Sequence, residues 1–85
     1  MVPDKVYVVY IQQPQPLAGI SRLEVFADRG RAVACLRDAY DRFLSSVPDA
    51  SVREFALDAG DAVAAGVIRT AFTSWSGRVI ARALA

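Results

Sequence analysis

Asp58 and Asp61 stand three residues apart, with Gly60 between them. Two carboxylates that close can share a proton or hold a cation. The same residues also suit a tight turn, because Asp hydrogen-bonds its own backbone and Gly accepts positive φ. The turn is the favoured role. The single cysteine, Cys35, could act as a nucleophile if electropositive neighbours lowered its pKa. Its place beside Leu36, at the edge of a helical apolar stripe, favours a buried and inert thiol instead. "ADRGRA", Ala27 to Ala32, sets Arg29 and Arg31 at a predicted helix N-terminus, where unpaired amides could take an anion. Asp28 competes for those amides as the helix cap, which leaves a solvated first turn.

Beyond these residues the chain offers little chemistry. It has no histidine, and so lacks the commonest general base and metal ligand. One cysteine without histidine cannot build the usual zinc sites or a Cys-His or Ser-His-Asp arrangement within one chain. Neither of the glycine-rich phosphate-binding patterns, GxGxxG and GxxxxGK[ST], occurs. No catalysis, no cofactor and no metal is expected.

Charge is nearly balanced. Ten Lys and Arg face nine Asp and Glu, for a net charge of +1, whereas nucleic-acid binders concentrate positive charge. Nucleic acid is therefore not the expected partner. Lys5 is the only lysine, which fits a GC-rich coding bias. Residues 1–85 are expected to form one small domain with a thin core. The hydrophobic fraction of 54% is above the usual ~45–50%. That surplus needs either an Ala-rich core or a partner. The start "MVPDKV" lacks a basic segment followed by a long apolar run. "QQPQP" breaks the uncharged stretch that follows, so no membrane span is expected. A reducing, cytoplasmic setting is the default expectation.

The elements that position these residues begin with "KVYVVYI", Lys5 to Ile11. Val, Tyr and Ile make Lys5–Gln12 a strand. Its two sides are Val6, Val8, Tyr10 and Tyr7, Val9, Ile11. Both are apolar, so one is left over once a core is made. "QPQPLAG" is a loop. "SRLEVFA", Ser21–Ala27, is a second strand, antiparallel to the first. Asp28 caps a helix from about Arg29 to Ser46, with the stripe Val33, Leu36, Tyr40, Phe43, Leu44 and Val47. Arg31, Arg37, Asp38, Asp41 and Arg42 lie opposite, with Arg37–Asp41 and Asp38–Arg42 at ion-pair spacing. Pro48 ends the helix. Val52–Asp58 is a third strand.

Residues 59–75 divide the reading. Val63, Val67, Ile68, Ala71, Phe72 and Trp75 fit a helical stripe, yet "VIRTAFTSW" is dense in β-formers and Gly60 and Gly66 weaken a helix. The preferred assignment is a hairpin of Val67–Trp75 and Arg78–Leu84 turning at Ser76-Gly77, with 59–65 a loop or one helical turn. The fold class expected is α+β: strands and helix in the order ββαβββ, an antiparallel sheet with one long amphipathic helix on one face. The alternative is a second helix at 61–75, which would cover the spare side of the first strand.

"KVYVVYI…RLEVFADRGRAVACL" followed by "VREFALD" resembles small single-domain proteins carried by phages and prophages. In these a K-V-Y-V-V strand leads to V-F and then to a helix that opens with a polar residue and contains an R/K-A pair. The likeness covers about two-thirds of the chain. Some proteins of this size and style, the anti-CRISPR proteins, block a bacterial defence complex by binding it. The resemblance implies a protein–protein function and carries over no functional residue.

The leading expectation is thus a non-catalytic binding module, a phage or mobile-element inhibitor that occludes a host or defence complex. Its expected contact residues are Tyr7, Val9, Ile11, Phe26 and Trp75 on the open sheet face, with Arg69 and Arg78 beside Trp75, since Trp, Tyr and Arg dominate binding hot spots. A homodimer through the open face or an edge strand is the alternative. A small enzyme or ligand-binding domain using Asp58, Asp61 or Arg69 ranks last.

Overall fold

A computed structural model describes residues 4–12 and 21–84. Five strands and one helix follow in the order β1 (Lys5–Gln12), β2 (Ser21–Phe26), α1 (Arg29–Ser46), β3 (Val52–Ala59), β4 (Ala62–Arg69) and β5 (Ser74–Ala83). The strands form one antiparallel sheet in the spatial order β2-β1-β5-β4-β3. The helix lies across one face. This is the ββαβββ α+β arrangement that the sequence predicts, and residues 61–75 are strand and turn rather than a second helix.

The helix forms where its signals say it should. Asp28 adopts extended backbone and its side chain accepts a hydrogen bond from the Gly30 amide at 3.1 Å. Ala32, Leu36 and Tyr40 are buried at intervals of four, and Val33, Phe43, Leu44 and Val47 pack beside them. At the C-terminal end the Ser46 hydroxyl donates to the Phe43 carbonyl, one of the four that the helix itself leaves open, and the Ser45 hydroxyl donates back to the Asp41 carbonyl. Asp38 and Arg42 form the predicted i,i+4 pair at 3.1 Å. Arg37 instead places its guanidinium 4.3 Å from the centroid of the Phe55 ring, a cation–π contact that draws it away from Asp41.

Two hairpins differ from the sequence reading. First, residues 59–65 are not a loop. Gly60 and Asp61 alone make the turn between β3 and β4, with Ala59 opposite Ala62. Gly60 has φ 63°, the positive value that hairpin turns need and that glycine takes at no steric cost. Second, β4 and β5 turn at residues 70–73 rather than at Ser76-Gly77. Thr70 builds this turn. Its Oγ1 accepts from the amides of Phe72 (3.2 Å) and Thr73 (2.9 Å), and its own amide donates to the Thr73 carbonyl at 2.8 Å. Gly77 lies inside β5, directly opposite Gly66 of β4 and Ile11 of β1. It serves the packing above it. A Cβ at residue 77 would fall 2.5 Å from Leu36 Cδ1, so the helix can approach the sheet only because the side chain is missing.

The core sits between helix and sheet. Val9 and Ile11 of β1, Val79 and Trp75 of β5, Ile68 and Ala64 of β4, Leu36, Tyr40 and Ala32 of α1, and Ala50 before β3 are its buried members. Trp75 is 1% exposed. Its ring meets Tyr40 edge-on, with centroids 6.0 Å apart, and stacks on Phe43 at 6.0 Å. Tyr40 also meets Phe55 edge-on at 5.4 Å.

Candidate functional site

Alternation from the core residues fixes what the other face of the sheet carries. Opposite Val9 and Ile11 point Val8 and Tyr10. Opposite Val79 and Gly77 point Ile80 and Arg78. β4 contributes Val63, Ala65, Val67 and Arg69 to the same side, and β2 contributes Leu23 and Val25. The register brings them into rows: Leu23, Tyr10, Arg78 and Ala65 are cross-strand neighbours, as are Val25, Val8 and Ile80. No element of the described residues covers this face.

This exchanges the two sides of β1 relative to the sequence expectation. Val9, Ile11 and Trp75 are buried beneath the helix, and Tyr7 and Phe26 are half-buried and packed against that core. None of the five belongs to an open apolar face. The sequence could not choose between two apolar sides of one strand, and the helix takes the side with Val9 and Ile11. Arg69 and Arg78 do lie on the open face and are exposed. With Trp75 buried, they are not beside an exposed tryptophan. The residues missed are Val8, Tyr10, Leu23, Val25, Val63, Val67 and Ile80. Their signal was present in "KVYVVYI", whose second apolar side needed a role.

β2 is the most informative strand. Amphipathic strands of a two-layer domain turn their apolar residues toward the core. β2 does so at Phe26 and does the reverse along the rest of its length. Leu23 and Val25 face the open side and are 58% and 56% exposed, while Arg22 and Glu24 face the helix side. The charged pair is satisfied there: Arg22 binds Glu24 at 3.0 Å, and the Cys35 thiol donates to Glu24 Oε2 at 3.0 Å. The register explains the inversion. Val9 pairs with Glu24 and Ile11 with Arg22, so any strand paired this way must put Leu23 and Val25 beside Tyr10 and Val8. The result is an apolar surface that continues from Val63 and Ile80 to the sheet edge. Val8, in its middle, is only 8% exposed because its neighbours crowd it.

The charges on this face are mostly of one sign. Arg69, Arg78 and Arg82 are all exposed, and none forms an ion pair among the described residues. Glu54 of β3 is an exposed acid on the same side. Asp58, at the end of β3, is engaged elsewhere, by Arg29 at 2.7 Å. Arg78 extends over Tyr10, with its guanidinium carbon 5.7 Å from the ring centroid. Short side chains at Ala65 and Ser76 leave a depression between Tyr10, Leu23, Val67 and Arg78. It encloses about 490 Å³.

The other candidate residues take part in local structure. Cys35 is half-buried, and desolvation together with the Glu24 carboxylate pushes its thiol up to about 11. Such a thiol carries almost no thiolate near neutral pH and is a poor nucleophile. Asp61 lies in the β3–β4 turn and Asp58 near the end of β3, and Asp58 has φ 54°, a left-handed conformation that Asp tolerates better than most residues. Among the described residues no three His, Cys, Asp or Glu side chains gather as a metal site would require. Asp28 occupies the first-turn amide at Gly30, and Arg29 turns away to Asp58. Among the described residues no helix is long and apolar enough to cross a membrane. Comparison with known proteins found no match to any family model, curated protein or solved structure.

Proposed function

We propose that this chain is a non-catalytic protein-binding module that works through the open face of its sheet. The inverted strand β2 carries this reading: it turns Leu23 and Val25 to solvent and Arg22 and Glu24 toward the helix. Contiguous exposed apolar surface rimmed by polar groups is a mark of an interaction site, and here Arg69, Arg78, Arg82 and Glu54 supply the rim. Arg and Tyr are favoured interface anchors. The likeness of Lys5–Asp58 to phage-borne proteins makes a host or defence complex the class of target, with occlusion as the mode of action.

Self-association through this face is the less favoured arrangement. A two-fold face-to-face pair would bring each copy's Arg78 and Arg82 toward the other's, and like charges in a desolvated interface are repulsive. A different chain meets no such penalty.

The test is a quantitative pull-down from host lysate with the wild-type chain and with Leu23→Glu/Val25→Glu. Both residues are exposed, so the double variant should fold. A partner captured at low-micromolar concentration by wild type and lost by the variant is the expected result. No capture, or equal capture by both, counts against the reading. Light scattering runs alongside, and a dimer dissolved by the same two substitutions would replace it with self-association.

A further inference from the structure

Resting on the protein-binding reading of this face, we infer that its partner is acidic: an extended segment that turns a carboxylate and an apolar side chain, two residues apart, to the same side. The whole chain is almost neutral, at +1, but the open face is not. Arg78 and Arg82 stand on the central strand β5 and Arg69 on the neighbouring β4, against Glu54 on the edge strand β3. Each of the three arginines keeps its full hydrogen-bonding capacity free of carboxylates among the described residues. Of the six arginines elsewhere, Arg22, Arg29, Arg31 and Arg42 have acidic partners within 4.0 Å, Arg37 lies over the Phe55 ring and Arg53 donates to the Ala50 carbonyl. A guanidinium fork is suited to bidentate carboxylate recognition.

The depression beside Arg78 supplies the second half of the recognition. Tyr10, Leu23, Ala65 and Val67 line it with apolar surface, and Ser76 adds a hydroxyl. Its 490 Å³ is ample for one large aliphatic or aromatic side chain. A carboxylate on Arg78 and a side chain in the depression would be residues i and i+2 of one extended segment, which point to the same side. Nucleic acid fits less well. Single strands bind to aromatic stacking platforms, and this face carries one aromatic, Tyr10, among aliphatic residues.

The probe is a random dodecapeptide phage library panned on the immobilised full chain. Enriched peptides are then synthesised and titrated against wild type, Arg78→Glu and Arg78→Glu/Arg82→Glu, with folding of each variant checked by circular dichroism. The expected consensus combines Asp or Glu with Leu, Ile or Phe. Its affinity should fall at least about tenfold in Arg78→Glu and weaken with added salt. A consensus without acidic residues, or one that binds the charge-reversed variants equally well, overturns the inference and leaves the open-face reading standing. So does a single-stranded oligothymidine that binds more tightly than the enriched peptides. Failure to enrich any peptide overturns the acidic-segment inference, and the Leu23→Glu/Val25→Glu pull-down then decides separately whether the face binds protein at all.

Discussion

Leu36 occupies the space that a side chain at residue 77 would need. A Cβ there would lie 2.5 Å from Leu36 Cδ1, 3.2 Å from the Trp75 ring and 3.3 Å from the Tyr10 carbonyl oxygen. Gly77→Ala should therefore destabilise the fold by about 1–3 kcal/mol through overpacking. Leu36→Ala alone should cost about 2–5 kcal/mol. In that background Gly77→Ala should cost less, because the obstructing methyl is gone. Urea titrations of the four-member cycle measure the coupling. Strict additivity would show that overlap with Leu36 is not the cause.

Trp75 reports on the core. Enclosed by Tyr40 and Phe43, its fluorescence should be blue-shifted and resist acrylamide until the chain unfolds. Trp75→Ala should cost about 3–5 kcal/mol. Native emission at the wavelength of free tryptophan would contradict the packing described.

Asp58 holds positive φ at a position where its charge contributes little. Asp58→Asn keeps a residue tolerant of that backbone and loses only an exposed pair with Arg29, for at most about 1 kcal/mol. Asp58→Val adds backbone strain, for about 1–3 kcal/mol. Thermal melts should rank wild type, Asn and Val in falling order. Equal melting temperatures for Asn and Val would show that the backbone is not the constraint.

Cys35 gives a pH dependence of known sign. Its folded-state value near 11 lies above the ordinary 9.0. Between these values the folded state keeps a proton that the unfolded chain has lost, so the contribution is full below about pH 9 and declines as pH rises toward 11. Glu24 is part of the cause. The stability difference between wild type and Cys35→Ser should shrink from pH 8 to pH 10.5 in urea titrations. At pH 8 the native thiol should hold on the order of 100-fold less thiolate than an unperturbed one, and react with disulfide reagents correspondingly slowly. Glu24→Gln should speed that reaction.

Thr70 is the hub of the β4–β5 turn. Thr70→Val keeps the shape and removes the oxygen that accepts from two amides. The expected cost is about 1–3 kcal/mol, with faster amide exchange at Phe72 and Thr73. Unchanged exchange at those two amides would exclude the hydroxyl as the organiser of the turn.

The helix and its cap were legible because their signals are local: Asp28, the Leu36–Tyr40 stripe and Pro48 each act within a turn or two. Strands β1 and β2 were legible as strands for the same reason. Three things were not. Gly77 reads as a turn residue because sequence does not distinguish a glycine needed for its backbone from one needed for its missing side chain. The true turn at 70–73 contains no glycine, proline, asparagine or aspartate, and is made by threonine hydroxyls. Both sides of β1 are apolar, so its sequence does not tell the open face from the covered one, and only the docked helix breaks that tie. The sequence expects Arg69 and Arg78 beside an exposed Trp75; they are exposed on the open face while Trp75 is buried. Alternation sorts Leu23 and Val25 to one side of β2, but only the register with β1 shows that the helix lies on the other.

The strand order has a consequence for biosynthesis. β5 is the last strand in the chain, yet it lies between β1 and β4 and joins the ββα half to the β3–β4 hairpin. While the ribosome is still making it, the nascent chain holds two half-sheets with raw apolar edges and no way to unite them. Trp75 and Val79, which complete the layer beneath the helix, arrive with that strand. The sheet can therefore close only after β5, which follows the other four strands in sequence, has been made, and a nascent chain stalled before β5 is the form most exposed to chaperones and aggregation.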